Sequence, residues 1–175
     1  MNYNSSVISF FKKHYLYDEK MFNYFKNNST LIDYDMEEYR PFVGCFSILN
    51  KDNIIKRIHV NTPYVKDHKT MLITIHELVH AIDFYHKIGH IYQEDLTSEI
   101  LPMLYEKIYV EEINNNELTT YSKWLDKKII KSQDFKYQVA LAVRDELYNA
   151  YHNNYEDIKT LSKKLAKKYE NTRYN

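Results

Sequence analysis

Residues 74–81 read Thr-Ile-His-Glu-Leu-Val-His-Ala, and this stretch decides how the rest of the chain is interpreted. It places His76 and His80 four positions apart, with Glu77 directly after the first histidine. Four residues turn an α-helix through about 400°, so the two imidazoles project from one face about 40° apart. They can therefore bind one metal ion, with zinc as the default, while Glu77 acts as general base toward a water molecule there.

The flanking residues predict that this stretch lies within one helix, over about 68–88. Asp67 is a suitable N-cap, and Gly89 follows the predicted end. Apolar residues recur inside the range with a helical period: Met71, Leu72, Ile75, Leu78, Val79 and Ile82. Histidines and a glutamate on a buried helix need partners that offset their lost hydration, and a metal ion is such a partner.

A zinc site needs a third protein ligand, with a fourth position left for water if the site is catalytic. Glu99 lies 23 residues after His76, on a helix predicted over about 92–112. His86 has the spacing of the third histidine in the metzincin pattern HExxHxxGxxH, but Asp83 replaces the glycine at which that pattern turns. Asp83 is also a candidate, most naturally as a hydrogen-bond acceptor for a ligand histidine. The alternative interpretation is that Asp83 is an ordinary acidic residue on the helix surface.

Two carboxylates lie on one face of the following helix, because Glu106 comes seven residues after Glu99. The preferred interpretation makes Glu99 the third ligand and Glu106 a hydrogen-bond acceptor behind the ligands. The alternative for Glu106 is an ion pair with Lys107 or another base.

Hydrophobic periodicity around this segment predicts an α+β fold that is mostly α-helical. A helix over about 7–25 precedes a loop over 27–41, and a β-hairpin pairs 42–49 with 54–61. Helices over 117–131 and 134–168 follow a break at 114–116, with a second break signal near 153–154. We expect one domain over 1–175, with an N-terminal helical segment (1–40), a metal-site core (42–112) and C-terminal helices (117–170).

The composition excludes several classes of protein. The chain has 24 Lys plus Arg against 24 Asp plus Glu, which argues against nucleic-acid binding and a polybasic membrane tether. Its single cysteine, Cys45, excludes an intrachain disulfide framework and is expected to be a small buried apolar side chain. No signal peptide or membrane-length apolar run is seen, which predicts a soluble cytoplasmic protein.

Residues 44–106 resemble the oligoendopeptidase F and thimet oligopeptidase family of gluzincin metallopeptidases. The resemblance is carried by Gly44 opening the hairpin, Val60-Asn61 closing its second strand, the stretch 74–81, and the segment from Glu99 to Glu106. It implies a zincin-like core, zinc on His76, His80 and Glu99, and Glu77 as the base. Val79 replaces the glycine of the family's HExGH. Residues 76–83 are also similar to the HExxHAxD of a mitochondrial inner-membrane processing peptidase.

The sequence therefore predicts a zinc metallopeptidase acting on a peptide or unfolded protein, without nucleic-acid or membrane partners. The resemblance adds an oxyanion donor from the C-terminal helices, with Tyr148, Tyr151 and His152 as candidates. The strand at 54–61 is expected to bind an extended peptide as an added strand. Two alternatives stay open: a zinc-bound peptide- or protein-binding domain without hydrolysis, and a metal-free helical interaction protein. Manganese, cobalt and iron suit the same ligand set.

Overall fold

The computed structural model describes residues 3–33, 43–154 and 157–173. Within these residues it has seven helices and a three-stranded sheet, which confirms the α+β, mostly helical class. The chain forms two compact units, residues 1–93 and 94–175. The organisation as a single domain over 1–175 stays a prediction.

The first unit begins with two short helices, α1 (Ser5–Lys13) and α2 (Glu19–Asn27), so the prediction of one continuous helix over 7–25 was wrong. Tyr15 interrupts it with a φ of 58°, and Asp18 then caps α2 by accepting the Met21 N–H at 2.8 Å. Aromatic side chains from both helices form the core here. The fully buried ones are Phe11, Phe22 and Phe25.

The sheet has the order β1-β3-β2, from β1 (Ser29–Ile32), β2 (Gly44–Leu49) and β3 (Ile55–Pro63). β2 and β3 are antiparallel, which confirms the predicted hairpin, whereas β1 runs parallel to β3 within the predicted loop. β2 pairs along β3 from Ile55 to Asn61, whereas β1 pairs only with its last four residues, 60–63. Peptide binding along the strand at 54–61 stays a prediction.

Helix α3 (His68–His86) contains the two histidines and is fixed at both ends. At its start, Asp67 and Thr70 form a capping box: the Asp67 carboxylate accepts the Thr70 N–H at 2.8 Å, and the Thr70 hydroxyl accepts the Asp67 N–H at 3.0 Å. After its end, Gly89 has a φ of 88°, which favours glycine. Its N–H donates to the Ile55 carbonyl at 2.8 Å and so returns the chain to the sheet.

One face of α3 packs against β3 and β2, which sets the direction of its opposite face. Leu72, Ile75 and Leu78 are at most 2% exposed, as are Ile58 and Val60 of β3. Full burial of one such side chain contributes about 1.5–3 kcal/mol. This packing confirms the predicted apolar period of the helix.

The second unit contains four helices: α4 (Ile100–Ile113), α5 (Asn116–Lys131), α6 (Phe135–His152) and α7 (Ile158–Arg173). The breaks predicted at 114–116 and near 153–154 are confirmed. Helix α4 begins later than predicted because Asp95 forms a turn, its carboxylate accepting the Thr97 N–H at 2.8 Å. Leu96 lies in that turn and is 44% exposed.

Helices α4 and α6 run antiparallel within this unit. The Tyr105 and Tyr151 rings are 6.1 Å apart, and Lys107 Nζ lies 3.5 Å from an Asp145 carboxylate oxygen. Helix α5 is attached to α6 by Arg144, whose two terminal nitrogens donate to the two Asp126 oxygens at 2.8 and 2.7 Å. None of the described helices is long and apolar enough to cross a membrane.

Candidate metal centre

The two histidines of α3 direct their Nε2 atoms toward each other at 3.1 Å, with ring centroids 4.8 Å apart. Two nitrogen lone pairs aimed at one point repel unless a proton or a metal ion lies between them. Two nitrogens bound to one tetrahedral zinc at about 2.05 Å would be about 3.3 Å apart. The 3.1 Å separation of the two Nε2 atoms is compatible with one zinc ion bound by both rings and with a hydrogen bond between them.

The surroundings of the pair hold these rings in place. Both histidines are half-buried, and the His80 ring stacks on Phe84, one turn further along α3, with centroids 6.4 Å apart and planes 23° apart. Phe84 was not identified from the sequence, although its spacing of four residues from His80 would have indicated the contact.

Glu99 lies directly before α4 and is only 9% exposed. It occupies the N-cap position, yet its side chain makes no capping hydrogen bond to its own helix. His76, His80 and Glu99 each offer one ligand atom, and these atoms lie within 4.8 Å of one another. Two imidazoles and one carboxylate are a donor set found in catalytic zinc sites.

The other two candidates for third ligand are outside this group. Helix α3 continues through Asp83 without the turn that the metzincin pattern requires, and His86 is exposed at its end. Ten residues of helix separate His86 from His76 by about 15 Å along the axis, too far to share an ion. The Asp83 carboxylate accepts a hydrogen bond from Lys87 at 2.6 Å. Its role beside a ligand histidine stays a prediction.

Glu106 lies close enough to Arg144 of α6 to affect it electrostatically. Burial alone would lower the pKa of the Arg144 guanidinium, but its hydrogen bonds to Asp126 and the charges of Asp126, Asp145 and Glu106 raise it above its usual value. Glu106 as an acceptor behind the ligands stays a prediction.

Cys45 of β2 is half-buried, not fully buried as expected, and lies near the acidic residues of α3. Burial raises the pKa of its thiol, and the charges of Glu77 and Asp83 raise it further. The inner side of β2 therefore faces the part of α3 that carries Glu77. No local sequence pattern indicates this neighbour, because the two residues meet only through sheet packing.

The three candidates for oxyanion donor lie at the C-terminal end of α6. Tyr151 contacts Tyr105 of α4, whose pKa is raised by burial and by the neighbouring Tyr151. Tyr148 stacks on His152 with centroids 5.9 Å apart, and Lys107 Nζ lies 5.0 Å from the Tyr148 ring. The antiparallel packing of α4 and α6 thus brings Tyr151 toward the first half of α4.

Comparison with protein-family models, with curated proteins and with solved structures finds no match to this chain. The likeness of residues 44–106 to gluzincin peptidases is therefore a resemblance in motifs alone.

Proposed function

We propose that the protein is a zinc metallopeptidase of the gluzincin type on a zincin-like core, with His76, His80 and Glu99 holding the metal. The observation that supports this best is the 3.1 Å separation of the two Nε2 atoms, with a Glu99 oxygen inside the same 4.8 Å group. A site that served stability alone would have no use for the glutamate next to His76.

Glu77 is the general base in this proposal. When bound, zinc supplies a Lewis acid that polarises the peptide carbonyl and lowers the pKa of a water ligand to about 7. The Glu77 carboxylate accepts a proton as water attacks the carbonyl carbon and then passes it to the departing amine. Its position one residue after His76 turns it about 100° around α3 from that ligand. It can thus approach the water without competing for the metal.

The peptide substrate binds along β2 in this proposal. Among the described strands β2 pairs with β3 alone, so its other edge is available for backbone hydrogen bonds to an extended chain. The charges of Glu77 and Asp83 act on Cys45 of β2, and α3 packs against β2, so this strand lies near the part of α3 that carries the base. Backbone pairing accepts many sequences, which suits a peptide or unfolded protein.

Replacing Glu77 by glutamine tests the proposal. Glu77→Gln should keep bound zinc and lose peptide hydrolysis by about 10²–10⁴-fold, the usual contribution of a general base. Glu111→Gln, an exposed position on α4, is the matched control and should keep both properties. Hydrolysis of a quenched fluorescent peptide library and zinc content by mass spectrometry are the two readouts. Equal activity of Glu77→Gln and wild type would refute the role of Glu77. A zinc-loaded wild type without hydrolysis would favour the peptide-binding alternative.

A further inference from the structure

Helix α7 presents an exposed face made almost entirely of lysine. Its apolar side is buried, with Ser162, Leu165 and Ala166 at 1–7% exposure. The opposite side carries five exposed lysines: Lys159, Lys163, Lys164, Lys167 and Lys168. Glu170, the single acidic residue of α7, is half-buried at the edge of this lysine face.

This arrangement places like charges next to each other. Residues four apart on a helix are neighbours, so Lys163 lies between Lys159 and Lys167, and Lys164 lies beside Lys168. Like charges at this spacing destabilise a helix. Among the described residues no ion pair is found for Lys163, Lys164 or Lys167, nor for Lys123, Lys127 or Lys131 of α5. Helix α7 differs from α5 in its charge balance, because it has six basic residues and one acidic residue, whereas α5 has four basic and two acidic residues. An anionic ligand would relieve the repulsion on the lysine face.

The charge around α7 limits how large that ligand can be. Residues 94–157 contain 7 Lys and Arg against 13 Asp and Glu, a net charge of −6, while residues 158–173 contain 6 against 1, a net charge of +5. A nucleic-acid duplex or an anionic bilayer extends well beyond one helix and would meet the acidic remainder of the unit. The exposed basic side chains of this face are all lysine, whereas arginine and aromatic side chains dominate nucleic-acid recognition.

We propose that the lysine face of α7 binds a short acidic segment of the peptide or unfolded-protein substrate. Lysines four residues apart are spaced by about 6 Å along the helix axis. Alternate side chains of an extended peptide are spaced by about 6.7 Å, so glutamate or aspartate at every second position matches the lysines. This inference rests on the proposed function, since it names the class of substrate that the metal site would cleave.

Binding to a short fluorescent peptide, measured by anisotropy, tests the inference without any need for hydrolysis. The peptide carries glutamate at every second position, its twin carries glutamine, and the protein is the full chain with Glu77→Gln. We expect the glutamate peptide alone to bind, with an affinity that falls as salt rises. Changing Lys163, Lys164 and Lys167 together to glutamine should weaken binding roughly tenfold, because exposed ion pairs contribute modestly and three are lost.

The matched control changes three exposed lysines of α5, Lys123, Lys127 and Lys131, to glutamine. It removes the same charge from the same unit and should leave affinity within about twofold of the parent, since these three residues are outside the lysine face. Circular dichroism verifies that both triple variants are folded. Equal weakening by both triples, or no binding at low salt, would overturn the inference. So would tighter binding of an oligonucleotide or a phosphatidylserine vesicle through the α7 lysines.

The two proposals can fail separately in this design. Acidic-peptide binding through α7 in a protein that hydrolyses nothing would support the lysine face and refute the peptidase. Hydrolysis of neutral and acidic peptides with the same KM, unchanged by the α7 triple variant, would support the peptidase and refute the lysine face as a substrate site.

Discussion

The Nε2 atoms of His76 and His80 are 3.1 Å apart on adjacent turns of α3, close to the separation that one tetrahedral zinc imposes. The spacing arises from the helix itself and from the stacking of His80 on Phe84. The two histidines are thus placed next to each other by α3 alone. In the proposed site, the third side chain completes the ligand set.

Zinc content should identify the third ligand. We expect about one zinc per chain in the wild-type protein. His80→Ala and Glu99→Ala should each lower zinc affinity by more than about 100-fold, since even partners behind a ligand contribute about 10–100-fold. His86→Ala is the matched control, because His86 is exposed at the end of α3. Competition with a fluorescent chelator measures the affinities. Zinc retained in Glu99→Ala, or lost in His86→Ala, would contradict the proposed ligand set.

Tyr151→Phe should slow peptide hydrolysis about 10²–10³-fold while zinc content stays unchanged. In the proposed mechanism, with Tyr151 as the oxyanion donor among the three candidates, the variant loses one hydrogen-bond donor, which typically has an effect of this size. Tyr148→Phe, one turn earlier on α6, is the control and should retain most activity. The measurement is kcat and KM on one peptide, with the change expected in kcat. Activity that falls with Tyr148→Phe instead would transfer the role to that residue.

Asp67→Ala should destabilise the first unit by about 1 kcal/mol, because the N-cap of α3 loses its hydrogen bond to the Thr70 N–H. Asp67→Asn should restore most of that stability, since asparagine caps as well as aspartate. Urea unfolding followed by circular dichroism measures both variants. Equal loss in both would show that charge, and not capping, is what matters at this position.

The same residue gives a pH dependence with a definite sign. Burial alone would raise the pKa of Asp67, but hydrogen bonds from Thr70 and the neighbouring Lys69 outweigh it and lower the pKa below its usual value. A carboxylate with a lowered folded-state pKa contributes stability that is fully present above its unfolded-state value and disappears as pH falls through the folded-state value. The difference in free energy of unfolding between wild type and Asp67→Asn should therefore be constant from about pH 5 to 7. Below about pH 4 the wild type should lose stability relative to the variant.

The Arg144–Asp126 pair should show strong coupling in a double-mutant cycle. The Arg144 and Asp126 side chains are 12% and 25% exposed and joined by two hydrogen bonds, so removing either leaves a largely desolvated charge. We expect each single alanine variant to lose about 2–3 kcal/mol, and the coupling energy to be about 1–3 kcal/mol. The more exposed Lys107–Glu111 pair, at 3.4 Å, is the comparison and should couple by less than about 0.5 kcal/mol. Similar couplings for both pairs would show that burial adds little here.

The parts of the fold that were predicted correctly are those with strong local signals. The apolar period fixed α3, Asn114 and Asn115 marked the α4–α5 boundary, and the uncharged run before residue 50 marked the hairpin. Strand β1 was missed because Ser29–Ile32 is only four residues long, and its identity as a strand depends on parallel pairing with a distant part of the chain. The start of α4 was misplaced because the Asp95 side chain stabilises a turn where the apolar pattern continued.

The histidine pair could be predicted because it is local, whereas its surroundings could not. A spacing of four residues on one helix determines the geometry of His76 and His80 almost completely. The position of Cys45 near Glu77 depends on how β2 packs against α3. No local sequence pattern predicts that packing. The length of α3 places His86 about 15 Å along the axis from His76, whereas Glu99 as the third ligand stays a proposal.

Because α3 is capped by Asp67 and Thr70 at one end and tied to Ile55 through Gly89 at the other, its shape does not depend on a bound ion. A chelated, metal-free protein should keep its helical circular dichroism and its slowly exchanging α3 amides, unlike a zinc finger, which unfolds without metal. In the proposed function, the free energy of zinc binding would then appear as affinity instead of being used for folding. Added zinc should raise the melting temperature by mass action on the native state.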